Sequence, residues 1–146
     1  MTDEFELERF VQAQDMVYSR VVSELSQGRK QSHWIWFIFP QVAGLGFSAM
    51  SQRYAIRSRQ EARAYLGHAL LGPRLIECTG LVVAVPDRTI NAILGSPDDV
   101  KFRSSMTLFG AVSNNPIFDQ AIAKYFAGDH DPATLEILRR PDRSAS

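Results

Sequence analysis

The chain has 146 residues, 45% apolar and 22% charged, and its sixteen basic and sixteen acidic side chains cancel. That length suits one domain with a core of its own, and the composition is that of a soluble globular protein. A neutral balance speaks against a broad electrostatic nucleic-acid binder, which carries a basic excess, so nucleic acid is not an expected partner.

Cys78 is the only cysteine, so no intramolecular disulfide forms, which fits a reducing cytoplasm. It sits in a helical apolar pattern and reads as a buried structural thiol. The start, Met1 to Glu6, is acidic and lacks the basic-then-apolar plan of a secretory signal. No stretch approaches the roughly 20 apolar residues of a membrane span.

In chain order, Leu7, Phe10, Val11, Val17, Tyr18, Val21, Val22 and Leu25 recur at spacings of three and four. That pattern predicts one long amphipathic helix from Glu6 to Gln27, capped by Asp3 and stopped at Gly28. Arg29, Lys30, Gln31, Ser32 and His33 then lead into six apolar residues, Trp34 to Phe39, which include both tryptophans. A short buried helix capped by Ser32 and ended by Pro40 is expected here, since no convincing partner strand follows. Gln41 to Ser51 carries Gly44 and Gly46 and reads as a loop. Ser58-Arg59-Gln60-Glu61 has the capping-box form and opens a helix to about Gly67. Leu71-Gly72-Pro73 opens another, with Leu75, Ile76, Cys78, Leu81, Val82 and Val85 inward.

A short apolar run, Ile90 to Leu94, closes at Gly95. Ser96-Pro97-Asp98-Asp99 then predicts a helix start, with acids in the first turn, followed by Val100, Phe102, Met106, Leu108 and Phe109. Asn115-Pro116 and Asp131-Pro132 repeat the cap-then-proline device. The expected fold is mainly α, a compact bundle of six or seven helices with little or no strand. The domain is expected over residues 1–139, with a flexible tail over 140–146. Trp36, Phe37, Phe102, Met106 and Phe109 are the expected core.

No metal-ligand spacing appears: His33, His68 and His130 stand far apart without a Cys or His at ligand distance. No phosphate-binding glycine loop, dinucleotide fingerprint or nucleophile elbow appears, and no cofactor is implied. His68 reads as a helix-end residue and His130 as exposed.

Two segments are candidates for a site. In the first, His33 is a donor beside the aromatic block, where partial burial would bring its titration near neutral pH. Trp34 there offers a flat face for a ring or a cation. In the second, Lys101, Ser104 and Ser105 share one side of a helix, with Lys101 near its first turn, where free amides favour an anion. A lysine three or four residues from a serine is also the spacing of an activated nucleophile.

The runs Ser32 to Gln41, Tyr54-Ala55-Ile56, Glu61 to Leu66, Leu71 to Leu75 and Lys101 to Phe109 resemble the bacterial family called Domain of Unknown Function 1810. The likeness spans roughly Phe5 to Leu138. It implies a compact, mostly helical single domain and brings no established activity or catalytic residues. Some members carry the label calpastatin. Calpastatins are extended disordered inhibitors, whereas this chain has the apolar content of a packed core.

Two functions fit these residues. One is binding of a small anionic or aromatic metabolite in a pocket between the aromatic block and the Lys101 helix, with or without chemistry. The other is a protein-interaction module that docks through exposed aromatics such as Trp34 or Phe47. A basic contact through Arg53, Arg57, Arg59 and Arg63 ranks below both, because Glu61 sits among them.

Overall fold

A computed structural model describes residues 3–140. The described residues are mainly helical, 63% helix and 1% strand with no sheet among them. Ten helices follow one another: α1 Glu8–Asp15, α2 Tyr18–Ser26, α3 Ile35–Ile38, α4 Ala49–Arg53, α5 Arg59–Gly67, α6 Leu71–Ala84, α7 Ile90–Leu94, α8 Asp98–Val112, α9 Ile117–Phe126 and α10 Pro132–Arg139. The six or seven expected are therefore too few, among the described residues. The expected tail, apart from Arg140, lies outside them.

Part of the excess comes from the first helix, which is two. The chain turns at Met16 and Val17, where the Val17 amide bonds Gln14 O at 3.0 Å. The apolar residues keep their spacing across this turn, so the pattern does not reveal it. The rest comes from one-turn helices. Thr89 caps α7 and Ser48 caps α4, each through a hydroxyl that accepts a backbone amide. The closest approach to a strand is an isolated parallel bridge between Val42 and Ile56.

Several caps form as the residue types demand. Asp3 accepts the Leu7 and Glu8 amides, and Asn115 accepts that of Ile117. Ser58 and Asp131 accept the amides three residues on. Two caps fail. Helix α8 starts at Asp98 with no side-chain cap, and Ser32 is drawn instead to a carboxylate, as described below. His68 ends α5 as expected, its amide donating to Tyr65 O at 3.2 Å, and its Nδ1 also accepts the Leu70 and Leu71 amides at the start of α6.

Helix α8 is the central element. It packs against α3, α5, α7, α9 and α10. Phe102, Met106, Leu108 and Phe109 are fully buried within it. Aromatic rings run through the core, with Phe39 edge-on to Phe102 at 4.8 Å and Phe10 edge-on to Tyr65 at 5.1 Å. Phe37 is buried as expected, but Trp36 is only half-buried, and Ile76 and Val100 face solvent.

Two glycines of α6 make opposite predictions. A Cβ at Gly72 would stand 2.0 Å from Leu66 O, a backbone atom of α5 that has little room to yield. Gly72→Ala is expected to destabilise the fold by about 3 kcal/mol, the upper end for overpacking. A Cβ at Gly80 meets nothing within 4 Å. Gly80→Ala is expected to stabilise by about 0.5–1 kcal/mol through helix propensity. Denaturant melts of the two variants check both signs.

Candidate functional site

The polar lead before the aromatic block is built around one acid, Glu24. Its position in α2 places it beside Val21 and Leu25 on the inward face, and it is 6% exposed. A buried carboxylate needs donors, and four supply them. The Gln31 amide lies at 2.7 Å, the Ser32 amide at 3.1 Å, the Ser32 hydroxyl at 2.6 Å and the Trp34 indole N–H at 2.9 Å. Burial alone would push the carboxyl pKa up, but these donors together hold it down at about 2. Glu24 thus pulls Trp34 into the core.

That placement corrects the expected role of Trp34. The ring is 1% exposed and packs on Phe39, so it presents no face to a ligand or a partner. His33, one residue earlier, is exposed rather than partly buried, and no hydrogen bond joins it to Lys101 among the described residues. Lys30 crosses to the start of α8. Its ammonium meets Asp98 at 2.8 Å with both side chains largely buried, and its amide bonds Ile93 O at 2.7 Å.

The polar lead and the aromatic block both touch α8, through Lys30 and Asp98 and through Trp36 and Lys101. The Lys101 ammonium stands 5.3 Å from the centre of the Trp36 ring. It forms no ion pair or hydrogen bond among the described residues. The indole N–H of the same ring is buried without an acceptor. One turn further along α8, the Ser105 hydroxyl is also buried without a partner. Unpartnered buried donors are few in native proteins, and each calls for an explanation. Thr79 Oγ1 in α6 is the other such atom among the described residues.

The serines divide. Ser104 Oγ lies within 3.2 Å of Val100 O and 3.1 Å of Asp131 Oδ2. With Thr107, which accepts the Asp131 amide at 2.9 Å, it anchors the turn into α10. Ser104 is thus structural. Ser105 is fully buried, and a hydroxyl with no accessible surface meets no substrate. Neither serine is placed as a nucleophile for Lys101.

Two features leave little or no mark on the sequence. Glu24 carries the one visible signal, an acid at an inward helical spacing between Val21 and Leu25. A polar network under α1 carries none. Gln14 donates to Phe37 O at 2.7 Å and to the Tyr65 hydroxyl at 3.0 Å, and Arg74 reaches Gln14 and Asp15. Cys78 is buried, and burial pushes its thiol up to about 12, so it has no reactive thiolate near neutral pH.

Residues 4–138 match the family described as "Protein of unknown function (DUF1810)". The chain belongs to the DUF1810 family. Among solved structures it is similar to the conserved hypothetical protein Rv1873 from Mycobacterium tuberculosis. The two are 53% identical with a TM-score of 0.94, over 95% of this chain and all of that one. No curated protein matches the chain. DUF1810 membership agrees with the resemblance of the Ser32–Gln41 and Lys101–Phe109 runs, and both of those runs meet at the Trp36–Lys101 junction. No helix among the described residues is long and apolar enough to cross a membrane.

Proposed function

We propose that this DUF1810 protein binds a small anionic metabolite at the junction of α3 and α8, with Lys101 and Trp36 as its principal contacts. The observation that carries this reading is an unpaired charge beside an aromatic ring. The ammonium of the half-buried Lys101, without a counterion among the described residues, stands 5.3 Å from the centre of the half-buried Trp36 ring. An anionic oxygen would pair with the ammonium, since a charged acceptor forms the stronger hydrogen bonds. Lys101 covers the ring, so a ligand that draws the ammonium aside also uncovers the aromatic face, which suits an anion carrying a flat ring. His33, exposed at the neighbouring turn, is a peripheral donor in this reading. Trp34, Ser104 and Ser105 support the site from within and do not touch the ligand.

The interaction-module alternative has less support. Phe47 is 85% exposed on the loop before α4, but single exposed apolar residues are ordinary.

The test is a thermal-shift screen of phosphate- and carboxylate-bearing aromatic metabolites. At least one is expected to raise the melting temperature of the wild-type protein, because a ligand of the folded state stabilises it. Lys101→Ala is expected to abolish that shift while keeping the unliganded melting temperature near wild type. A shift that survives in Lys101→Ala would place the ligand elsewhere.

A further inference from the structure

A second site stands apart from that junction. The loop from Gln41 to Arg57 is closed at its neck, where the Ala43 amide donates to Ile56 O at 2.8 Å and the Ile56 amide to Gln41 O at 2.9 Å. Within it lies a cavity of about 240 Å³, bordered by Gln41, Gly44, Gly46, Ser51, Gln52 and Arg57. Arg57 is the only charged residue on its wall. Its guanidinium makes no hydrogen bond or ion pair among the described residues.

Acids do stand on the other side of Arg57, in a neighbouring cavity bordered by Asp3, Glu4, Glu6 and Glu61. Two of them are already engaged. Asp3 accepts the Leu7 and Glu8 amides. Glu61 pairs with Arg9 at 2.9 Å and accepts the Arg57 backbone amide at 3.2 Å. None of the four lies within ion-pair distance of the Arg57 side chain.

The rest of the wall suits close approach of a ligand. Gly44 adopts φ +103, a conformation that side chains resist. A Cβ at Gly46 would come within 2.6 Å of Ser51 Cβ and Oγ, so the loop backbone and Ser51 are held together only while that position is bare. Ser51 Oγ accepts from Ser48 Oγ at 2.9 Å, which leaves its own O–H free to donate.

We propose that this loop binds a compact oxyanion, a carboxylate or phosphate group, through the Arg57 guanidinium and the Ser51 hydroxyl. A planar guanidinium takes either group in two parallel hydrogen bonds. The volume sets the size of the ligand. At about 240 Å³ the cavity is smaller than the roughly 300–1,000 Å³ of sites for drug-sized molecules, so it takes the anionic group and a short appendage, not a nucleotide.

The experiment is a proton–nitrogen correlation titration of the full chain with sodium phosphate and, separately, sodium acetate, at ionic strength held constant with sodium chloride. The expected result is a saturable shift of the Gly44, Gly46 and Ser51 amides and of the Arg57 side-chain N–H with at least one of the two anions. Which anion acts tells phosphate from carboxylate. Arg57→Gln is expected to lose the response with the rest of its spectrum unchanged, since that side chain holds nothing else in place. Lys101→Gln is expected to keep it, which separates this loop from the α3–α8 junction. No saturable shift in the loop with either anion, or an equal shift in Arg57→Gln, would overturn the proposal.

Discussion

Phe109→Ala is expected to lower the stability of the fold by about 3–5 kcal/mol. Phe109 is fully buried in the last turn of α8, with Tyr65 of α5 at 5.3 Å and Phe118 of α9 at 6.0 Å. Truncation removes the ring from both neighbours at once. The space it leaves is bordered by rigid helices that collapse poorly, so a cavity adds to the lost burial. For a chain of this size the melting temperature should fall on the order of 10 °C. A melting curve unchanged from wild type would mean that α8 does not sit at the centre of the core, and the meeting of Lys101 with Trp36 would lose its basis.

Glu24→Ala is the second large effect, and it carries a pH signature. The substitution leaves the Gln31 and Ser32 amides and the Trp34 indole N–H without their acceptor, at about 1–3 kcal/mol for each that stays dry. A total loss of at least 3 kcal/mol is expected. The sign with pH follows from the lowered carboxyl. Folded Glu24 titrates at about 2 against an ordinary 4.5, so its stabilisation is present in full above about 4.5 and is lost as pH falls toward 2. That difference corresponds to about 3 kcal/mol. Denaturant midpoints measured from pH 6 to about pH 2 should therefore fall more steeply for wild type than for Glu24→Ala. Parallel curves would show that Glu24 is not the acceptor at the heart of this turn.

The helical grammar was legible where a single side chain decides a local event. Ser58, Asn115 and Asp131 each accept an amide two or three residues on, and the residue types announce it. The turn at Met16 was not legible, because Leu7 through Leu25 keep helical spacing whether the helix is continuous or bent. The two tryptophans show why the site was half-legible. Trp34 and Trp36 are equally apolar, and pattern alone does not say which turns inward. The choice is made by Glu24, ten residues earlier on another helix, which takes the Trp34 indole and leaves Trp36 at the edge under Lys101. Lys101, Ser104 and Ser105 share a side of α8, but tertiary partners separate them: Asp131 claims Ser104, the core encloses Ser105, and only Lys101 stays without a counterion. The Arg57 cavity left no trace in periodicity, since it depends on a loop closed by two backbone hydrogen bonds.

The most direct measurement of the proposed function uses the two indole N–H resonances of the protein. Both tryptophans are close in sequence, yet one indole is bonded to Glu24 and the other has no partner. A proton–nitrogen spectrum followed during titration with an anion that raises the melting temperature should move the Trp36 indole peak saturably and leave the Trp34 peak in place. In Lys101→Ala neither peak should move. A Trp36 indole peak that stays fixed while the protein is stabilised by the anion would contradict binding at the α3–α8 junction.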